Sequence, residues 1–195
     1  MRMSKQTRTA PSEFRAEEQN GEKRIEGYFV VFGSTYELWK GASESVDSHA
    51  FDGALNDEIR CLIDHETRLV LGRNTAGTLT LRTDEHGLWG SVLVNENDTD
   101  AMNLYARVQR GDVSQCSFGF EILDEETEID EDTGHVHWTI KKVRLNEVSV
   151  VTFPAYKETG VSARMDEYRQ INERRADLWR ERMKGRLKKD GFEAD

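Results

Sequence analysis

Hydrophobic and polar residues alternate with a period of two in several separate stretches of this chain, the signature of strands with one buried face. RIEGYFVVFG (24–33) is one such run, closed by glycine, and RCLIDHE (60–66) is a short apolar run ending in charge. GTLTLRTDEHGLWGSVLV (77–94) predicts two strands around a DEHG turn. GDVSQCSFGFEIL (111–123) predicts a strand with a glycine in its middle, a mark of a bulge or of close backbone approach. VHWTIKKVRLNEVSVVTF (136–153) is long, alternating and β-branched, and Pro154 stops it. The stretch between these last two, 124–135, reads as an acidic turn.

A period near 3.6 occurs in two places. In DTDAMNLYARVQRG (98–111), Asp98 or Thr99 can cap a helix, Ala101, Tyr105 and Val108 form a stripe, and Gly111 sits at a C-terminal stop. Residues 163–189 place Tyr168, Ile171, Leu178, Trp179, Met183 and Leu187 near helical spacing among many charges. A short helix is also expected at 50–55. These elements predict a mainly β, α+β fold: a closed or nearly closed antiparallel β-barrel with flanking helices, followed by a C-terminal amphipathic helix. The expected organisation is a flexible N-terminal arm over 1–23, a globular domain over 24–161 and a charged helical tail over 162–195. The tail helix has three readings: packing on the barrel or on a second copy, a targeting segment, or a helix lying on a membrane surface.

Composition narrows the picture. The 195 residues are 36% hydrophobic and 33% charged, with a formal net charge of −10. So acidic a surface argues against nucleic acid as a partner of the whole chain. No apolar run approaches membrane-spanning length, and the first residues lack the apolar core of a signal peptide, so no membrane partner is expected. Two cysteines, Cys61 and Cys116, without a Cys-x-x-Cys, suit reduced thiols in a cytosolic protein and make no zinc site.

Candidate chemistry falls on three segments. Ser117 stands beside Phe118 and Gly119, where a missing Cβ would let backbone or substrate approach. Cys116 is a rival nucleophile, but neighbouring strand positions face opposite ways, so if Ser117 faces a site Cys116 faces the core. Among the histidines, His49 precedes the expected short helix, His86 lies in the hairpin turn, and His135 and His137 share one strand face and permit a metal pair. His65 ends an apolar strand where a side chain emerges at the sheet rim, a position suited to general-base work. Glu147 is a carboxylate inside a strongly apolar strand, costly unless paired, and expected to share a face with Ser149 and Leu145. An acid there is placed to orient a histidine. Each of these residues also has an ordinary structural reading.

Six ordered landmarks, GYFVVFG, HAFDGAL, LIDHETRLVLGR, GLWGSVLV, GDVSQCSFGF and LNEVSVVTFPAY, together resemble the tailed-phage prohead maturation proteases, serine peptidases related in fold to the herpesvirus assemblins. The resemblance spans about residues 24–161. It implies an assemblin-like barrel and a serine endopeptidase with Ser117 as nucleophile, His65 as base and Glu147 as orienting acid, Phe118 and Gly119 in the substrate and oxyanion neighbourhood, and no metal or cofactor. It also implies the substrates and partners: the major capsid protein and its scaffolding segment, the protease's own termini, the portal as a further candidate, and further copies of the chain. The place of action it implies is the assembling prohead in the host cytoplasm. Two other readings stay open: a non-enzymatic capsid or scaffold-interaction module on the same fold, and a different hydrolase using Cys116 or a metal at His135 and His137.

Overall fold

The structure, a computed structural model, describes residues 6–10, 14–153 and 158–189. Their elements are β1 (Gln6–Ala10), β2 (Arg15–Gln19), β3 (Glu22–Val31), β4 (Tyr36–Trp39), β5 (Ala42–Val46), β6 (Arg60–Ile63), β7 (Glu66–Arg73), β8 (Leu79–Thr83), β9 (Gly87–Leu93), α1 (Thr99–Arg110), β10 (Gln115–Ile129), β11 (Val136–Val151) and α2 (Glu158–Lys189). Two short 3₁₀ turns, Ala54–Asn56 and Asn74–Ala76, complete them. The chain divides into two compact units, residues 1–157 and residues 158–195.

The first unit is α+β, with two sheets around one core. The larger sheet runs β1-β10-β11-β5-β4, with β6 paired to β11 and β7 to β6; the smaller runs β2-β3-β9-β8. Both contribute to one cluster, with Ile25, Phe29 and Leu88 from the small sheet meeting Phe118, Phe120, Ile140 and Val148 from the large one. Each such side chain, fully buried, contributes on the order of 1.5–3 kcal/mol. Gly87 is required where β9 meets β3, because a Cβ there would lie 1.9 Å from the Val30 carbonyl oxygen.

Of the closed or nearly closed antiparallel barrel expected from the sequence, the mainly β, α+β class forms but the closure does not: the large sheet is a half-barrel. Its spine is the long β10–β11 hairpin. One edge of β11 follows β10, but the other takes two parallel partners in succession, β5 against Val136–Ile140 and β6 against Glu147–Val150. Two short parallel partners on one long strand split that edge instead of carrying an antiparallel ladder around to closure.

The elements with strong local signals form as expected. Asp98 caps α1 by accepting from the N–H groups of Asp100 and Ala101, and Gly111 ends it with φ 83°. The β8–β9 turn is tied by the Asp84 carboxylate, which accepts from His86 and Gly87. Three local expectations are corrected. The helix at 50–55 is only the 3₁₀ turn after Gly53, whose φ of 80° interrupts a helical run. The acidic turn is shorter, because β10 continues to Ile129 with its side chains beyond Leu123 mostly in solvent. Strands β1 and β2 lie in the stretch expected to be an arm.

The second unit is the single helix α2, 32 residues long. Tyr168, Ile171, Leu178, Trp179 and Met183 fall within an arc of about 140°, roughly two fifths of the circumference at 3.6 residues per turn. No helix among the described residues is long and apolar enough to cross a membrane.

Candidate active site

Strand register brings the candidate residues together. Ser117 of β10 lies directly opposite Ser149 of β11, and Gly119 opposite Glu147. Opposed residues of an antiparallel pair share a face, and so do residues two apart on one strand. Ser117, Gly119, Ser149 and Glu147 therefore occupy one face. Cys116, Phe118 and Phe120 occupy the other, where Phe118 stacks on Phe120 with ring centroids 4.6 Å apart. The Phe118 side chain thus belongs to the core. A register shift follows Gly119, the bulge that a glycine within the strand foreshadows.

His65 arrives from the other edge of β11. β6 pairs in parallel with β11 through Ile63, and the Asp64 N–H continues the ladder by donating to the Val150 carbonyl at 3.0 Å. Asp64 and His65 then take left-handed conformations, φ 48° and 61°, which few residues other than glycine adopt. The Asp64 carboxylate holds this turn by accepting from the Thr152 N–H at 2.6 Å and the Thr152 hydroxyl at 3.0 Å.

The turn delivers His65 Nδ1 to 2.8 Å from Glu147 Oε1. The other carboxylate oxygen, Oε2, accepts from Ser149 Oγ at 2.6 Å, and Ser149 Oγ also lies 3.3 Å from His65 Nδ1. Glu147 is 3% exposed and Ser149 is fully buried, so these contacts act in a low-dielectric setting where geometry is strictly enforced. A carboxylate at Nδ1 favours the tautomer with its proton on Nδ1, which leaves Nε2 as a bare acceptor. His65 Nε2 is buried and makes no hydrogen bond. Ser117 is likewise fully buried, and its hydroxyl donates to the Arg8 carbonyl of β1 at 2.9 Å instead of to His65.

The competing nucleophiles are poorly placed. Cys116 Sγ points into the core, toward the carbonyls of Tyr28 and Phe29 at 3.2 and 3.5 Å. Burial pushes the Cys61 thiol up, and the charge of nearby Glu147 pushes it further the same way. His135 and His137 are engaged by serines of β5. Ser43 Oγ lies 2.7 Å from His135 Nε2 and 2.8 Å from His137 Nδ1, and Ser45 Oγ lies 2.9 Å from His137 Nε2. Among the described residues no group of three or more His, Cys, Asp or Glu side chains is arranged to hold a metal. His49 lies on the surface beside Asp52, and His86 packs edge-on against Tyr28.

The spacing of two from Glu147 holds for Ser149, for which the sequence indicated no task, but not for Leu145, which the register shift after Gly119 sets opposite Phe120 on the core face. Sequence reasoning did not single out Asp64, Arg8 or Glu44. Asp64 was recoverable only as an aspartate beside a histidine in a tight turn. Arg8 and Glu44 become relevant through pairings between distant segments, which leave no local trace.

Comparison with known proteins gives a family for the chain. The family described as caudovirus prohead serine protease matches residues 10–174. A prohead protease of Enterobacteria phage HK97 is 30% identical over 143 residues, which is 71% of this chain and 59% of that protein. The match thus spans less than two thirds of that relative's length. No solved structure matches the chain. The family match covers most of the sequence, including all three segments that carry Ser117, His65 and Glu147: the chain belongs to the caudovirus prohead serine proteases.

Proposed function

We propose that this chain is a serine endopeptidase of capsid maturation, cleaving scaffolding segments of the major capsid protein, and its own chain, inside the assembling prohead. The observation that carries the reading is the His65 ring, anchored through Nδ1 by a buried Glu147 at 2.8 Å and left with an unengaged Nε2 on the sheet face that bears Ser117. A serine hydroxyl is a poor nucleophile until a base removes its proton, and a histidine is an effective base only when its tautomer is fixed. In the proposed reaction His65 Nε2 takes the Ser117 proton as Oγ attacks the scissile carbonyl. It then gives that proton to the leaving amine. Glu147 orients the ring and stabilises the imidazolium, and Ser149 holds the second carboxylate oxygen so that Glu147 cannot rotate away. Gly119 leaves the space beside the reacting carbonyl free of a side chain. None of these steps calls for a cofactor.

The finer parts of the reading follow from family membership and residue order: a likeness to the herpesvirus assemblins, a protease domain over 24–161, and a helical tail that joins the enzyme to its assembly. The capsid protein and its scaffolding segment are the proposed partners, with the portal and further copies of the chain beside them. The test is co-expression with the capsid gene neighbouring this one in its genome, followed by intact-mass measurement of both products. The wild type is expected to shorten the capsid protein, while Ser117→Ala and His65→Ala leave it at full mass. A capsid protein shortened equally by Ser117→Ala would overturn the assignment, and full-length capsid protein with every variant would favour a non-enzymatic capsid module.

A further inference from the structure

The hydroxyl proposed as the nucleophile is already in contact with a peptide carbonyl of its own chain. Strand β1 lies antiparallel along the edge of β10, with Thr9 opposite Ser117 and Arg8 opposite Phe118. Adding a strand to an exposed sheet edge is a general way of binding an extended peptide, in which main-chain bonds give affinity and alternate side chains give specificity. Ser117 Oγ donates to the Arg8 carbonyl oxygen at 2.9 Å, so the peptide bond lying against the hydroxyl is the one between Arg8 and Thr9.

The Arg8 side chain leaves β1 toward the core face and is recognised there. Its Nε and Nη2 bond the two carboxylate oxygens of Glu44 at 2.5 and 3.0 Å, and its guanidinium lies 5.7 Å from the centre of the Phe120 ring. Glu44 sits on β5, two strands across the half-barrel from β10, and is 1% exposed; Arg8 is 11% exposed. A fork-to-fork pair of this kind matches a guanidinium in shape as well as charge. A carboxylate held so deep favours a cationic occupant and penalises a neutral or acidic one.

We propose that Glu44, with Phe120, is the specificity pocket of this protease, selecting an arginine or lysine on the amino side of the scissile bond, and that residues 6–10 occupy the substrate strand with Arg8–Thr9 as the bond presented to Ser117. The inference rests on the peptidase reading and adds the substrate class to it. In the step, Ser117 Oγ bonds to the Arg8 carbonyl carbon while the bond to the Thr9 nitrogen breaks. The Ser117 proton passes through His65 to that nitrogen. Water then hydrolyses the Arg8 ester, leaving a carboxylate on Arg8, a new amino terminus at Thr9 and a free Ser117 hydroxyl. Until that cut, β1 keeps other substrates from the site.

The experiment uses full-length chains and two readouts. Intact mass with terminal mapping follows cleavage over time in the wild type, Glu44→Gln, Arg8→Gln and the charge-swapped pair Arg8→Glu with Glu44→Arg. Hydrogen exchange of the residue 6–10 amides is measured with the same substitutions in a Ser117→Ala background, with the α1 amides reporting that each variant is folded. The wild type is expected to produce the Thr9 terminus. Glu44→Gln and Arg8→Gln are expected to slow that cut and speed β1 exchange by about tenfold or more, the scale of a buried charge pair, and the swapped pair to recover part of both. Cleavage at other bonds but not at Arg8–Thr9, or an unchanged rate in Glu44→Gln, overturns the inference and leaves the peptidase reading intact. Absence of any cleavage while β1 protection still depends on Glu44 overturns the peptidase reading, and the cleavage step with it.

Discussion

Two adjacent residues of β10, Cys116 and Ser117, both carry a side chain able to attack a carbonyl, and the pleat of the strand separates them. Ser117 shares its face with Ser149 and Glu147, while Cys116 faces the carbonyls of Tyr28 and Phe29 inside the core. The thiol is therefore a packing group, and its removal leaves a small cavity without touching the site. Cys116→Ala is expected to cost about 1 kcal/mol of stability, as small core truncations do, and to keep kcat/KM within about twofold. The check is thermal unfolding beside a peptidase assay, with and without prior alkylation. Rapid inactivation by a thiol reagent in the wild type, absent in Cys116→Ala, would move the nucleophile to the cysteine. At this scale the sequence was informative, because type and parity suffice: alternation alone set Ser117 and Cys116 on opposite faces, and Glu147 stood out as an acid among β-branched residues.

Elements decide whether those residues meet. His65 reaches Glu147 only because β6 runs parallel to β11 and then turns sharply at Asp64, where two residues other than glycine hold positive φ. Such a conformation costs on the order of 1 kcal/mol or more per residue and persists where the surroundings over-determine it. Here the restraint is the pair of bonds from Thr152 to the Asp64 carboxylate. Asp64→Ala removes both and is expected to lower stability by about 1–2 kcal/mol and kcat by about tenfold, with KM less affected, since the loosened turn no longer fixes the imidazole. Denaturant unfolding and steady-state kinetics of the same preparation check it; an unchanged kcat would mean that Glu147 and Ser149 alone position the ring. Elements with their own periodicity or caps, α1, the β8–β9 hairpin and β11, could be read locally. Those defined by a distant partner could not: β1 owes its place to a strand 109 residues away at the Ser117–Arg8 contact, and β5 and β6 owe theirs to an edge of β11.

For the whole molecule, the half-barrel has a consequence that a closed barrel would not. The edge of β10 away from β11 is covered by β1, residues 6–10 of the same chain, and it is this strand that the proposed reaction treats as substrate. Closure was not legible in the sequence for a related reason: strand alternation reports which faces are buried, not whether the last edge finds the first. The acidic body, net −10 over the full chain, also makes the basic side chain captured by Glu44 an informative exception, because a cation is admitted where the core would otherwise exclude charge. The proposed chemistry makes Ser117 a nucleophile activated by His65 under the control of Glu147. It is tested most directly by reacting the full chain with a fluorophosphonate, which esterifies activated serines, and mapping the adduct by peptide mass. One adduct is expected, on Ser117, formed quickly in the wild type, at least about a hundredfold slower in Glu147→Gln, and absent in His65→Ala. An adduct on another residue, or equal labelling of Ser117 when His65 is replaced, would contradict it.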